Sequence, residues 1–241
     1  MDRSYYRIPV SSFQDLQNKI NSFSLLESET RLFRGQSRAS WNLESGLFRS
    51  LRDKGQIKNF YQQEEIELES FFKNARFSTW TEHSPIQKLS IAQHYQARTR
   101  LLDWSESWEI ALWFAFYDNE ERKERALYSI FIDPWDIFPE EYQEFPDYCL
   151  VRFINPQKFL SNPRIQNQRG WFSTQAARII PPDKVRSGDG IPQFDKMGLI
   201  EEDPHFNFKI TKFILPDFIR DEVLTYLKEK GINDNFIFPD N

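Results

Sequence analysis

Three segments, far apart in the chain, each set an arginine among apolar or glycine neighbours: "LFRGQS" (32–37), "QARTRLLDW" (96–104) and "NPRIQNQRGWF" (162–172). A guanidinium can fork onto a phosphate or carboxylate through two parallel hydrogen bonds. In the first segment Arg34 stands at a strand end before Gly35, whose missing side chain would let a ligand approach the backbone, and Gln36 and Ser37 add polar groups. The second supplies Arg100 and Asp103 across two leucines, then Trp104. Strand alternation puts 100 and 103 on opposite faces, so Asp103 is expected to turn at the strand end and accept hydrogen bonds. The third supplies Arg164, Gln168 and Trp171. If the three segments converge on one aromatic-lined cleft, they make a binding pocket for an anion. The competing reading pairs Arg34 with a buried carboxylate such as Asp103. Both can hold, because one guanidinium has five donors.

Other chemistries find less support. The three histidines, His83, His94 and His205, have no helical metal spacing, and HExxH and CxxC are absent, so no metal site is expected. GxSxG, the Walker loop and GxGxxG are absent too. His94, in "AQHY", is a pocket-lining candidate or a hydrogen-bonded core residue. Cys149 sits in an apolar run and reads as a small buried hydrophobe. The acidic clusters "QEEIELE" (63–69) and "EEYQE" (140–144) read as solvated helix faces.

Composition limits the setting. A chain of 241 residues with 23 Phe and 7 Trp can bury a large core. One cysteine excludes a disulfide framework, and the longest apolar run, Ile110–Tyr117, is far too short for a membrane span. With no leader-like start, the expectation is a cytoplasmic protein without membrane contact. A net charge of −5 argues against general nucleic-acid binding. It does not exclude a local contact, because Arg34, Arg38, Arg49, Arg52, Lys54 and Lys58 crowd the first quarter.

These residues need elements to position them. Ser11 with Gln14 suggests a capping box ahead of a helix carrying Phe13, Leu16, Ile20 and Phe23. Residues 30–35 read as a strand, "WNLESGLFRS" as a loop or hairpin, and 57–79 as a long helix. Ser84-Pro85 opens a helix to about Tyr95. "TRLLDW" reads as a short buried strand. Ser105 is then expected to cap a helix with Glu106 in its first turn and "WEIALWFAFY" as an all-round buried body, its N-terminus opening near the pocket. Residues 126–132, 149–154, "GWFST" and "FNFKITKFI" read as strands, "NPQKFL" as a short helix, and "LPDFIRDEVLTYLKEKG" as a helix closed by Gly231. The whole predicts an α+β fold, a mixed or antiparallel sheet core with flanking helices in a single compact domain.

"LFRGQ", "WNLESGLFR" (41–49), "IAQHYQARTRLLDWSESWEIALWFAF" (91–116), "PRIQNQRGWF" (163–172) and "GINDNFIFPD" (231–240), in that order, resemble the FRG domain family, named for the motif seen here as Phe33-Arg34-Gly35. The resemblance implies an FRG-like domain over 30–241 behind a helical lead-in of residues 1–29. One departure is Gln96-Ala97-Arg98, where the family shows a glycine-leucine-proline-like turn. A more distant resemblance, to ADP-ribosyltransferases of the arginine-serine-glutamate kind, implies NAD as cofactor and a role as a toxin or defence effector that modifies a macromolecular acceptor. It makes Arg34 the nucleotide arginine, puts "LLDWS" in place of the serine-threonine-serine strand, and puts Gln166 and Gln168 in the glutamate segment. An amide cannot stabilise a cationic transition state by charge, so either Asp103 or another acid does that work or the fold binds without catalysis. Under this reading Asp103 and Gln168 are the catalytic candidates. Arg34, Gly35, Gln36, His94, Arg100, Arg164 and the stacking candidates Trp104 and Trp171 hold the ligand. The alternative is a non-catalytic module binding a nucleotide, a nucleic-acid end or a peptide carboxylate through the same arginines.

Overall fold

The computed structural model describes residues 6–23, 29–56, 60–74, 83–118, 120, 124–138, 152–158, 160, 162–174 and 209–239. Their seven strands form one mixed sheet. They are β1 (Tyr6–Pro9), β2 (Thr30–Gln36), β3 (Leu101–Ser105), β4 (Glu124–Ile132), β5 (Arg152–Ile154), β6 (Gly170–Thr174) and β7 (Ile210–Pro216). The order is β1-β7-β4-β2-β3-β6-β5. Only β1 and β7 are parallel; every other neighbouring pair is antiparallel. The helices are α1 (Phe13–Asn21), α2 (Gly46–Asp53), α3 (Phe60–Asn74), α4 (Pro85–His94), α5 (Trp108–Phe116), α6 (Pro163–Gln168), α7 (Arg220–Glu229) and α8 (Asp234–Ile237). The fold is α+β, as expected.

β2 shows how its sequence divides two cores. Phe33 joins a cluster with Phe13, Leu16 and Ile20 of α1, six residues of α5, and Val223 and Leu227 of α7. Leu32, one residue earlier, faces the opposite cluster with Leu102, Trp104, Tyr128 and Trp171. This is the period-two alternation of a strand buried on both faces. α5 buries Ile110, Ala111, Leu112, Trp113, Ala115 and Phe116, which is why its sequence carries no polar stripe. Its C-terminal end is closed by the fully buried Arg125, which donates to the Ala115 carbonyl (2.7 Å), Asp118 (2.7 Å), the Glu120 carbonyl (2.6 Å) and Asp217 (2.9 Å). On the other face Lys212 donates to the Ala39 carbonyl (2.6 Å) and the Tyr128 hydroxyl to the Trp41 carbonyl (3.0 Å). These two bonds pin the loop between β2 and α2 to the sheet.

Several expected boundaries move. β1 lies within the stretch read as a helical lead-in and extends the sheet. Ser12, not Ser11, caps α1 by accepting from the Asp15 amide (3.0 Å); Asp15 reaches back to the Ser11 amide (2.8 Å). "WNLESGLFRS" is neither all loop nor a hairpin, because Ser45 caps α2. Likewise Ser107 rather than Ser105 caps α5, and Glu109 rather than Glu106 sits in its first turn. In each pair a second hydroxyl lies one or two residues away, and only the local backbone decides which is in the extended cap conformation. "NPQKFL" gives a single 3-10 turn at Pro156–Lys158. The long helix expected over 57–79 is seen as α3. Residues 75–79, Cys149, the "EEYQE" cluster and His205 lie outside the described residues.

The turn after α4 carries strain. Gln96 has φ +67°, in the left-handed region that side-chain-bearing residues avoid. Gln96 opens the segment in which the family resemblance implies a glycine-leucine-proline-like turn. Gln96→Gly is expected to raise stability by about 0.5–1 kcal/mol, glycine's extra unfolded-state entropy offsetting part of the relief. A lowered urea midpoint would show that the side chain's contacts outweigh the backbone strain.

Candidate functional site

The cleft opens where the sheet splits. β2 pairs with β4 along its full length, but with β3 only at Phe33–Ser105. Beyond that pair the two strands part. Arg34 spans the gap, donating through Nη1 to the Asp103 carbonyl (2.7 Å), and the same nitrogen lies 3.7 Å from the Asp103 carboxylate. The carboxylate beside Arg34 is thus an exposed one rather than a buried one, and Arg34 lies within β2 rather than at its end.

The resulting cleft has a volume of about 620 Å3, within the range of small-molecule sites. β2 contributes Arg34, Gly35 and Gln36, and the following loop contributes Trp41. Arg49 comes from α2 and Arg98 from the turn after α4. β3 contributes Asp103. α5 contributes its flank and C-terminal end through Ala111, Phe114 and Tyr117, and not its N-terminus. α6 contributes Arg164 and Gln168. All three arginine-bearing segments reach one site, each through one strand or helix end. A smaller pocket of about 40 Å3 adjoins it, lined by His94 and Trp171 among others.

Charge among the described lining residues is one-sided. Four arginines, Arg34, Arg49, Arg98 and Arg164, face two carboxylates, Asp103 and Asp118. Asp118 is already bound to Arg125 (2.7 Å). Asp103 is 59% exposed, and both its carboxylate oxygens accept from the Gln93 amide nitrogen (3.0 and 3.2 Å), while the Gln93 oxygen accepts from the Thr99 hydroxyl (2.6 Å). Burial pushes the Arg34 guanidinium below its usual range; Asp103 opposes that shift, Arg49 adds to it and Tyr128 opposes it. Arg34 and Arg49 thus repel, and an anion between them would relieve that repulsion. Arg49 also lies over the Trp41 ring (5.0 Å), with Arg38 5.5 Å from the same ring.

Several candidates fall elsewhere. Arg100 is 2% exposed and does not line the cleft. It is bound to Glu64 of α3, itself 5% exposed, through Nε (2.7 Å), Nη2 and its backbone amide (2.9 Å). One member of the "QEEIELE" cluster is therefore a core residue and not part of a solvated face. Trp104 borders the cleft and Trp171 the smaller pocket, but both are almost fully buried. Both are core side chains of the far cluster, with their indole N–H groups on the Ser173 hydroxyl (2.9 Å) and Glu106 (2.7 Å). Trp41, Phe114 and Tyr117 are further aromatic residues of the cleft lining. Trp41 and Arg49 lie in the segment "WNLESGLFR", whose local pattern suggests a loop or hairpin; α2 is what brings Arg49 over Trp41. Gln168 donates its amide to the Ile237 carbonyl (3.0 Å), and its neighbour Asn167 donates to the Phe236 carbonyl (2.8 Å). Gln168 therefore anchors α8 beside the cleft. Gly35 lines the cleft through its backbone, while the side where a Cβ would stand faces α5, 1.8 Å from the Ala111 carbonyl oxygen.

Among the described residues no group of three His, Cys, Asp or Glu side chains could hold a metal ion, and no described helix is long and apolar enough to cross a membrane. Compared with known proteins, the chain matches the family described as FRG domain over residues 29–124. The matched stretch contains every cleft residue named above except Arg164 and Gln168. No curated protein and no solved structure matches it.

Proposed function

This chain belongs to the FRG domain family through residues 29–124, and on that premise we propose that its cleft binds a nucleotide-like anion, NAD being the first ligand to test. The observation that carries this reading is the convergence of Arg34, Arg49 and Arg98 on one cleft whose described lining adds two carboxylates, one of them already bound to Arg125. The volume suits a nucleotide, and Trp41 with Tyr117 offers apolar surface for a base or sugar. Arg49 is the cleaner variant, because its side chain holds no buried carboxylate. Arg49→Ala is expected to keep the melting temperature and weaken binding about tenfold, the worth of one charge-assisted contact. Arg34→Ala should weaken binding further. Calorimetric titration with NAD checks both. Unchanged affinity in both variants, or no binding by the wild type, would overturn the reading.

The exposed carboxylate of Asp103 beside Arg34 favours a catalytic form of the same reading. In it, the bond between nicotinamide and ribose breaks and its electron pair leaves with nicotinamide. The developing ribose cation faces Asp103. Water or a nucleophile on a macromolecular acceptor then forms the new bond and loses a proton. Nicotinamide release that disappears in Asp103→Asn, with NAD binding retained, would support it. Binding without release, with and without cell extract as acceptor, would leave a non-catalytic binding module.

A further inference from the structure

Gln36 is 4% exposed and lines the cleft. Its side-chain nitrogen donates to the Asn42 carbonyl (3.1 Å). A carbonyl can only accept, so this bond fixes which end of the amide is which. The oxygen, Oε1, must then point away, and it has no hydrogen-bond partner among the described residues. A buried acceptor left unpaired is rare in native proteins and calls for a partner the protein does not itself supply. Two residues earlier on the same face of β2, Arg34 leaves its Nε–H equally unpartnered. Both residues line the cleft, and each holds one buried hydrogen-bonding atom that is unused among the described residues.

We infer that Gln36 is a specificity residue that accepts a hydrogen bond from the ligand, so that the cleft selects a nucleoside phosphate over a bare polyphosphate. The inference rests on the nucleotide reading above and adds a requirement to it. The ligand must carry a hydrogen-bond donor, a ribose hydroxyl or a base N–H, next to the anionic group held by the arginines. A simple phosphate offers the arginines their anion but offers Gln36 nothing. The unpaired oxygen then stays unpaired, which is how polar sites reject ligands lacking one group.

The test compares wild type with Gln36→Met, which keeps length and bulk and removes the acceptor. The Asn42 carbonyl still accepts from the Glu44 amide (3.0 Å), so the loop keeps a bond when the Gln36 amide is lost. A melting temperature equal to or above wild type would show that the variant is folded. Affinities would be measured for ADP, 2′-deoxy-ADP, inosine diphosphate and inorganic pyrophosphate. The wild type is expected to prefer ADP to pyrophosphate by about tenfold or more, and Gln36→Met to lose that preference while holding pyrophosphate as before. A loss confined to 2′-deoxy-ADP would identify a ribose hydroxyl as the donor, and one confined to inosine diphosphate a base amine. An unchanged ADP-to-pyrophosphate ratio in Gln36→Met would overturn this inference and leave the anion site standing. Failure of the wild type to bind any of the four would overturn both.

Discussion

Gly35→Ala is expected to destabilise the protein by roughly 3–5 kcal/mol, the upper end of what overpacking a core costs. The added Cβ would meet the Ala111 carbonyl oxygen at 1.8 Å, the Ala111 carbonyl carbon at 2.9 Å and the Ala115 amide nitrogen at 2.7 Å. All three are backbone atoms, so no side chain can rotate out of the way. α5 would have to lift off β2, and six of its residues belong to the cluster that joins α1, α7 and the sheet. For a chain of this size the loss corresponds to a fall in melting temperature of about 10–15 °C. The measurement also separates two roles for the glycine. If Gly35 served ligand approach, the alanine variant would melt like wild type and bind poorly. A melting temperature within about 3 °C of wild type would overturn the packing account.

The second large effect concerns Arg100. Arg100→Ala leaves the Glu64 carboxylate buried without its cation, a situation that costs about 3–5 kcal/mol in comparable buried pairs. Two of the contacts come from the Nε and Nη2 of one guanidinium, and the backbone amide of residue 100 adds a third that survives the mutation. Replacing both partners is a different experiment. Arg100→Met with Glu64→Leu removes two desolvated charges and fills the space with apolar groups, so most of the stability should return. Urea midpoints of the single and double variants decide it. A single variant within about 1 kcal/mol of wild type would mean that the pair is better hydrated than its burial indicates. Because Arg100 does not line the cleft, the folded fraction of either variant should bind ligand as the wild type does.

Local sequence determined much of this protein. Periodicity and caps placed most strands and helices, because hydrogen bonding within a few residues and a buried or exposed face are written in neighbouring residue types. The absence of a polar stripe in "WEIALWFAF" was enough to bury α5 between layers. The arginine segments were legible as a set, since guanidinium groups in apolar company need partners or a ligand. What one sequence could not decide was which need each arginine meets. Arg34 and Arg100 sit in similar apolar surroundings, yet one spans a split in the sheet and the other closes on Glu64, 36 positions earlier. That choice depends on where β3 parts from β2 and on which face α3 packs. The same holds for Gly35, whose need for hydrogen in place of a side chain comes from a helix that begins more than 70 residues later. Trp41 and Trp171 differ in the same way. Both are aromatic residues in quoted motifs, but only strand register puts the second in the core and only the pinned loop leaves the first at the cleft. Contacts between distant segments have no local signature, so the ligand-facing identity of a residue is fixed by the tertiary structure alone.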